Sequence, residues 1–179
     1  MRAILCKEYG PAETLVIEDV TSPVVKGHGV KVRVKAAGLN FPDTLIIEGK
    51  YQLKPTMPFS PGGEMSGEVI EVGEKVTRFK PGDRVAGLTG YGAFAEEVVV
   101  PEQNILPIPE SMSDEKAAAF SMVYGTSYYA LKQRANIQPG ETLLVLGASG
   151  GVGLATVELG KAMGAHVIAA ASTAEKLAV

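Results

Sequence analysis

Thr142-Leu143-Leu144-Val145-Leu146-Gly147-Ala148-Ser149-Gly150-Gly151-Val152-Gly153 decides how the second half of the chain is read. The apolar run that opens it predicts a parallel strand buried on both faces. The glycine-rich segment predicts a sharp turn. Beyond it, Val152, Ala155, Leu159 and Met163 recur at helical spacing and predict a helix over 152–163. A second buried strand is expected over 167–171. Strand, loop, helix and strand make one βαβ unit. In such a unit glycines let the backbone approach a diphosphate without a Cβ clash, and the free amides and positive dipole end of the helix stabilise the anion. Ala148 takes the first glycine position of the fingerprint, and Gly150 and Gly153 take the second and third. The predicted diphosphate-binding residues are therefore Ser149, Gly150, Gly151, Val152 and Gly153. A glycine turn that merely lets the helix pack close is the competing reading.

After the second strand, a dinucleotide without a 2′-phosphate wants an Asp or Glu on its ribose. The chain offers Ala171-Ser172-Thr173-Ala174-Glu175-Lys176 instead, with Glu175, the nearest acid, several residues past the strand end. Ser172 can donate a hydrogen bond to a phosphate and Lys176 can pair with its charge, which favours NADPH over NADH. A solvated lysine at a helix start is the plainer alternative for Lys176.

The first hundred residues read as short strands with Gly/Pro punctuation, the pattern of a barrel or sandwich. Val30-Lys31-Val32-Arg33-Val34-Lys35-Ala36 alternates apolar and basic residues, as a strand with one wet face does. Further strands are expected over 15–20, 68–72, 84–87 and 95–100, with Lys80-Pro81-Gly82-Asp83 as a turn. Ser113 should cap a helix over 114–119, with acids in its first turn where the dipole favours them. Another helix is expected over 126–133. These shifts place a β-rich domain at 1–120 and the start of an incomplete α/β domain at 121–179.

Composition narrows the partners. Of 179 residues 46% are apolar and 21% charged, with a net charge of −3, so the chain has no general attraction to nucleic acid or an anionic membrane surface. No stretch is long enough to span a bilayer and the N-terminus lacks a signal-peptide core, which makes the cytoplasm the expected compartment. One cysteine, Cys6, excludes an internal disulfide framework and is read as a small strand residue.

In order along the chain stand Ala36-Ala37-Gly38-Leu39-Asn40-Phe41-Pro42-Asp43, Pro61-Gly62-Gly63-Glu64-Met65-Ser66-Gly67-Glu68-Val69, Val72-Gly73-Glu74, Gly82-Asp83-Arg84-Val85, Gly92-Ala93-Phe94-Ala95-Glu96 and the glycine loop. Each is ordinary alone. As an ordered set they resemble the medium-chain dehydrogenase/reductase superfamily, and more narrowly its zinc-independent NADPH:quinone oxidoreductases. The resemblance implies an α/β fold with a β-rich part: a GroES-like barrel followed by the first βαβ unit of a truncated Rossmann fold, with the cofactor in the cleft between the two. Zinc-dependent relatives carry ligands where this chain has Asn40, Gly63 and, near the third position, Met122, none of them a good zinc ligand, so no metal is expected. His28 and His166 are read as surface or edge histidines.

What the resemblance implies is a metal-free enzyme that positions NADPH against an acceptor taking hydride readily, a quinone or an enone, and supplies hydrogen bonds to the developing oxyanion. It places Asn40 at the nicotinamide end of the cleft, Thr126 against the nicotinamide or its ribose, and Tyr51 in the quinone pocket. Leu45 stands where some members have a second pocket tyrosine. The plainer readings are a turn residue for Asn40, a helix-starting residue for Thr126 and a half-buried packing residue for Tyr51. Tyr124, Tyr128 and Tyr129 are read as core or interface aromatics. An enoyl or acrylate-type reductase and a non-catalytic NADPH-binding homologue remain alternatives. With two of about six strands of a doubly wound domain present, the chain reads as a fragment or cleavage product, poorly active alone, of a protein that by resemblance can form a homodimer.

Overall fold

A computed structural model describes residues 1–178, so Val179, the last position of the expected 121–179 domain, lies outside the described residues. The chain divides into two compact units, Met1–Ala119 and Phe120–Val179.

In the first unit β1 (Arg2–Leu5) pairs antiparallel with β2 (Val16–Asp19). Then follow β3 (Gly29–Gly38), α1 (Phe41–Ile47), β4 (Glu64–Val72), β5 (Arg84–Leu88), β6 (Glu97–Pro101), β7 (Ile105–Pro107) and α2 (Asp114–Ala118). An antiparallel sheet runs in the order β6-β3-β4-β5-β7. β3 alternates as its pattern requires, with Val30 and Val32 buried and Arg33 and Lys35 exposed. Register shifts against β4 at Lys31/Val32 and Val34/Ala36 let this long strand bend. Its inward face joins Met65, Val69, Val85 and Ile105 in one core. Bridges from Ala3 to Ala95 and from Cys6 to Phe59 tie the N-terminal segment to the rest. Ser113 caps α2 by accepting from the Lys116 amide, as the sequence predicts.

This unit differs from expectation in β1 and β7, which are not among the expected strands, and in two further features. β4 begins at Glu64, four residues before the expected start, because Glu64, Met65, Ser66 and Gly67 pair with β5 on one side and β3 on the other. α1 is absent from the sequence reading, although its start is well specified: Asn40 is the N-cap, a proline lies in the first turn and Asp43 stands at the third position.

The second unit opens with α3 (Ser121–Tyr128), which runs on into a π-helical turn at Tyr129–Arg134. The helix expected over 126–133 thus starts earlier, and Thr126 lies inside it; Phe120 stacks on Tyr124 one turn along and steadies that entry. β8 (Thr142–Leu146), α4 (Gly151–Ala162), β9 (His166–Ala170) and α5 (Ala174–Leu177) complete the unit. β8 and β9 are parallel, in register from Thr142–His166 to Leu146–Ala170. The apolar runs predict strands buried on both faces, whereas two strands under one helix should leave apolar surface exposed; the second expectation holds and the first is corrected here. α4 lies against one face, where Gly160 comes close to Leu143 and Val167. The other face is open, leaving Leu144, Leu146 and Ile168 57%, 76% and 53% exposed. An apolar run fixes a strand's type, but its burial depends on what covers it.

Candidate functional site

The glycine loop of the second unit lies at the junction of β8 and α4. Gly147 turns the chain out of the strand with φ +70°, a left-handed conformation that suits glycine. At Gly153 a Cβ would stand 2.2 Å from the Gly147 carbonyl oxygen, so only glycine lets the helix start this close to the strand end. The amides of Ser149, Gly151, Val152 and Gly153 donate to no protein acceptor among the described residues. Gly150 departs from expectation: its amide is spent on the Gly147 carbonyl at 3.0 Å, because it closes the turn. The Ala148 amide is likewise spent, on Ala170 at 3.0 Å, which locks the loop to the end of β9. A loop with four open donors around a helix start fits a diphosphate.

Beside it, Leu146, Gly147, Ser149, Ala170, Ala171, Ser172 and Lys176 line one hollow of about 340 Å³. Lys176 Nζ reaches Ser172 Oγ at 3.2 Å, so the cation and the hydroxyl predicted for a 2′-phosphate are neighbours. Thr173 starts α5 by accepting from the Lys176 amide. Thr126 is exposed on α3, one residue before buried Ser127, whose hydroxyl donates to the Val152 carbonyl. Thr156 in turn donates to that carbonyl and lies 3.0 Å from the Ser127 hydroxyl, which fastens α3 to the first turn of α4. Tyr124 hydrogen-bonds Glu158, while Tyr128 and Tyr129 are 47% and 51% exposed and are not core residues.

In the first unit, Asn40 and Tyr51 sit beyond opposite ends of α1. The Asn40 amide N–H donates to Asp43 Oδ2 at 2.8 Å, and its side-chain Nδ2 donates to Glu64 Oε2 at 3.0 Å. Burial pushes the Asp43 carboxyl up from its ordinary value, opposed by the backbone N–H of Asn40 that it accepts and by the nearby amides of Gly63 and Gly62. Tyr51 is half-buried against Cys6, Ile46, Ile47 and Phe59, a packing position. Burial likewise pushes the Cys6 thiol up, away from reactivity. His28 is tied to Glu102 at 2.9 Å, whereas His166 is an exposed start of β9. A hollow of about 610 Å³ among β1, β6 and the 89–92 loop contains none of the sequence-predicted residues.

Asp43 and Glu64 are the members of this constellation that sequence reasoning missed. Both lay inside stretches used only for their resemblance. A lone acid at the head of the small and apolar run Met65-Ser66-Gly67, where a core position is expected, was the available signal for Glu64.

Residues 26–110 match the alcohol dehydrogenase GroES-like domain. Over 99% of its length the chain is 49% identical to a quinone oxidoreductase-like protein 2 homolog of Nematostella vectensis, of which it covers 49%. The quinone oxidoreductase of Thermus thermophilus, solved also in complex with NADPH, superposes with a TM-score of 0.85 at 41% identity, over 98% of this chain and 55% of that one. The CurK enoyl reductase superposes with a TM-score of 0.89 at 29% identity, over 97% of this chain and 55% of its own. The chain spans about half the length of the curated relatives it matches. A GroES-like domain in the first unit and these relatives along nearly its whole length make the chain similar to the N-terminal portion of quinone oxidoreductases of the medium-chain dehydrogenase/reductase superfamily.

Proposed function

We propose that the protein carrying this chain is an NADPH-dependent, metal-free oxidoreductase that delivers hydride to a quinone or a similarly conjugated carbonyl acceptor. The observation that carries the reading is the shared hollow of Ser149, Ser172 and Lys176 beside four open loop amides, a place for a diphosphate and a 2′-phosphate together. Bound there, NADPH would supply the hydride. The chain's own residues bind and orient: the amides of Ser149, Gly151, Val152 and Gly153 hold the diphosphate, and Ser172 and Lys176 hold the 2′-phosphate. Asn40 offers an N–H to a carbonyl oxygen, Thr126 a hydroxyl toward the nicotinamide side, and Tyr51 an apolar wall. Asn40, Gly63 and Met122 make a poor zinc-ligand set, so in this reading polarisation rests on hydrogen bonds, and the acceptor is one that takes hydride readily. An enoyl-type acceptor is the second reading, favoured by the likeness to an enoyl reductase and by Leu45 at a tyrosine position of quinone pockets.

NADPH and NADH titrations followed by nicotinamide fluorescence test the cofactor. Lys176→Ala should weaken NADPH about tenfold, a change of about 1.4 kcal/mol, and leave NADH alone. Equal loss for both removes the 2′-phosphate assignment. A panel of quinones and enones then separates the acceptors, and binding without turnover of any of them points to a non-catalytic homologue.

A further inference from the structure

We propose that Glu64 is a positioning residue that holds the Asn40 side-chain amide in the one orientation from which it can donate to an acceptor's carbonyl oxygen. The inference rests on the reductase reading above and deepens it. Glu64 is 1% exposed at the head of β4, and its Oε2 lies 3.0 Å from Asn40 Nδ2. A carboxylate oxygen only accepts, so the amide edge turned toward it is the nitrogen and not the carbonyl. Gly38 leaves the room for this: a Cβ there would stand 2.9 Å from Glu64 Oε2 and 2.5 Å from the Ala118 carbonyl oxygen.

Asp43 pins the Asn40 end of this hydrogen bond, its buried carboxyl accepting the Asn40 amide at 2.8 Å. The Glu64 end is held by strand pairing, with Gly38 of β3 on one side and Leu88 of β5 on the other. Asn40 and Glu64 are thus fixed at their backbones by these contacts and at their side chains by each other. A planar amide nitrogen carries two hydrogens. One is spent on Glu64, and the plane that this bond sets fixes the direction of the other. Half-buried Asn40 therefore offers a single aimed donor, where an untethered side chain would sample several rotamers. Glu64 acts through Asn40 and needs no contact with the acceptor.

The test is a double-substitution cycle in the natural protein carrying this sequence, joined to a spectrum of the 179-residue chain itself. Glu64→Leu should lower kcat by about 10- to 100-fold and leave the KM for NADPH within about twofold, since placement and not binding is lost. Glu64→Gln, which can still accept from Asn40, should recover kcat to within about threefold. In an Asn40→Ala background Glu64→Leu should cost nothing more. A further loss there, or a Gln variant as slow as the Leu variant, overturns the proposal, because either marks a merely structural acid. In the 15N spectrum the Asn40 side-chain proton that faces Glu64 should lie downfield and exchange slowly with solvent in the parent, and should move upfield and exchange faster in Glu64→Leu. Should the Leu variant fail to fold, Glu64→Gln must still shift that proton toward the value for a neutral acceptor, and an unmoved shift overturns the proposal as well. If the parent reduces no quinone or enone, the reductase reading falls, while the spectrum still decides whether Glu64 holds Asn40.

Discussion

β3 and β8 both carry large apolar side chains, yet Val30 and Val32 of β3 are wholly buried, whereas Leu144 and Leu146 of β8 are 57% and 76% exposed. The difference lies in the surroundings. In the first unit an antiparallel sheet bends and closes its inward face over Met65, Val69 and Ile105. Such a sheet tolerates water on its other face, and β3 places its basic residues there. The parallel pair of the second unit has no polar face to offer, and α4 covers only one side. The first unit thus holds its candidate residues with buried contacts, such as the Asp43 and Glu64 carboxyls. The second presents its ligand groups on an open loop and a strand end.

The largest effect should come from the closed core. Met65 is 0% exposed, so Met65→Ala should cost about 2–5 kcal/mol through lost burial and the cavity left behind. Amide exchange resolved by strand is the measurement. Protection should fall across β3, β4 and β5 and persist in β8. Equal loss in β8 would show that the two units unfold as one.

Acid should separate the units next. The carboxyls held below their ordinary values, Glu74, Asp83, Glu96, Glu102 and Glu115, all lie in the first unit among the described residues. Glu102 binds three segments together: it hydrogen-bonds His28, the largest cause of its lowered value, and accepts the Thr77 and Arg78 amides at 3.1 and 3.2 Å. A carboxyl whose folded value lies below the unfolded one, about 4.3, stabilises the fold above that pH and ceases to as pH falls through the folded value. Glu102→Gln should therefore lower the thermal midpoint at neutral pH, and its gap to the parent should narrow below about pH 4. A gap independent of pH would mean that lost packing, not charge, is what the substitution removes.

What was legible in the sequence follows the same division. β8 was read to its bounds because an apolar run flanked by a turn and a glycine loop admits few alternatives. α1 was not, because Leu45, Ile46 and Ile47 look like strand residues and only the cap marks a helix. The pairing of Asn40 with Glu64 was out of reach, since nothing local links positions 24 residues apart across a loop. Tyr51 reads from sequence either as a pocket residue or as half-buried packing, and only its neighbours show that it packs against Cys6, Ile46, Ile47 and Phe59.

The smallest expected effect tests the open face. Leu144 and Ile168 are register partners on it, 57% and 53% exposed. Threonine fits a strand as well as either and removes apolar surface from water. Replacing both with threonine should change the unfolding free energy by less than about 0.5 kcal/mol per site, as surface changes do, and should reduce self-association in light scattering. A cost above about 1 kcal/mol per site would mean that the face is covered in solution, since only buried leucine and isoleucine lose that much on truncation. Concentration then names the cover. A cost that vanishes on dilution comes from a second copy, and one that persists comes from the protein's own chain. Either outcome would remove the contrast between β3 and β8, because both strands would then be buried and only their partners would differ.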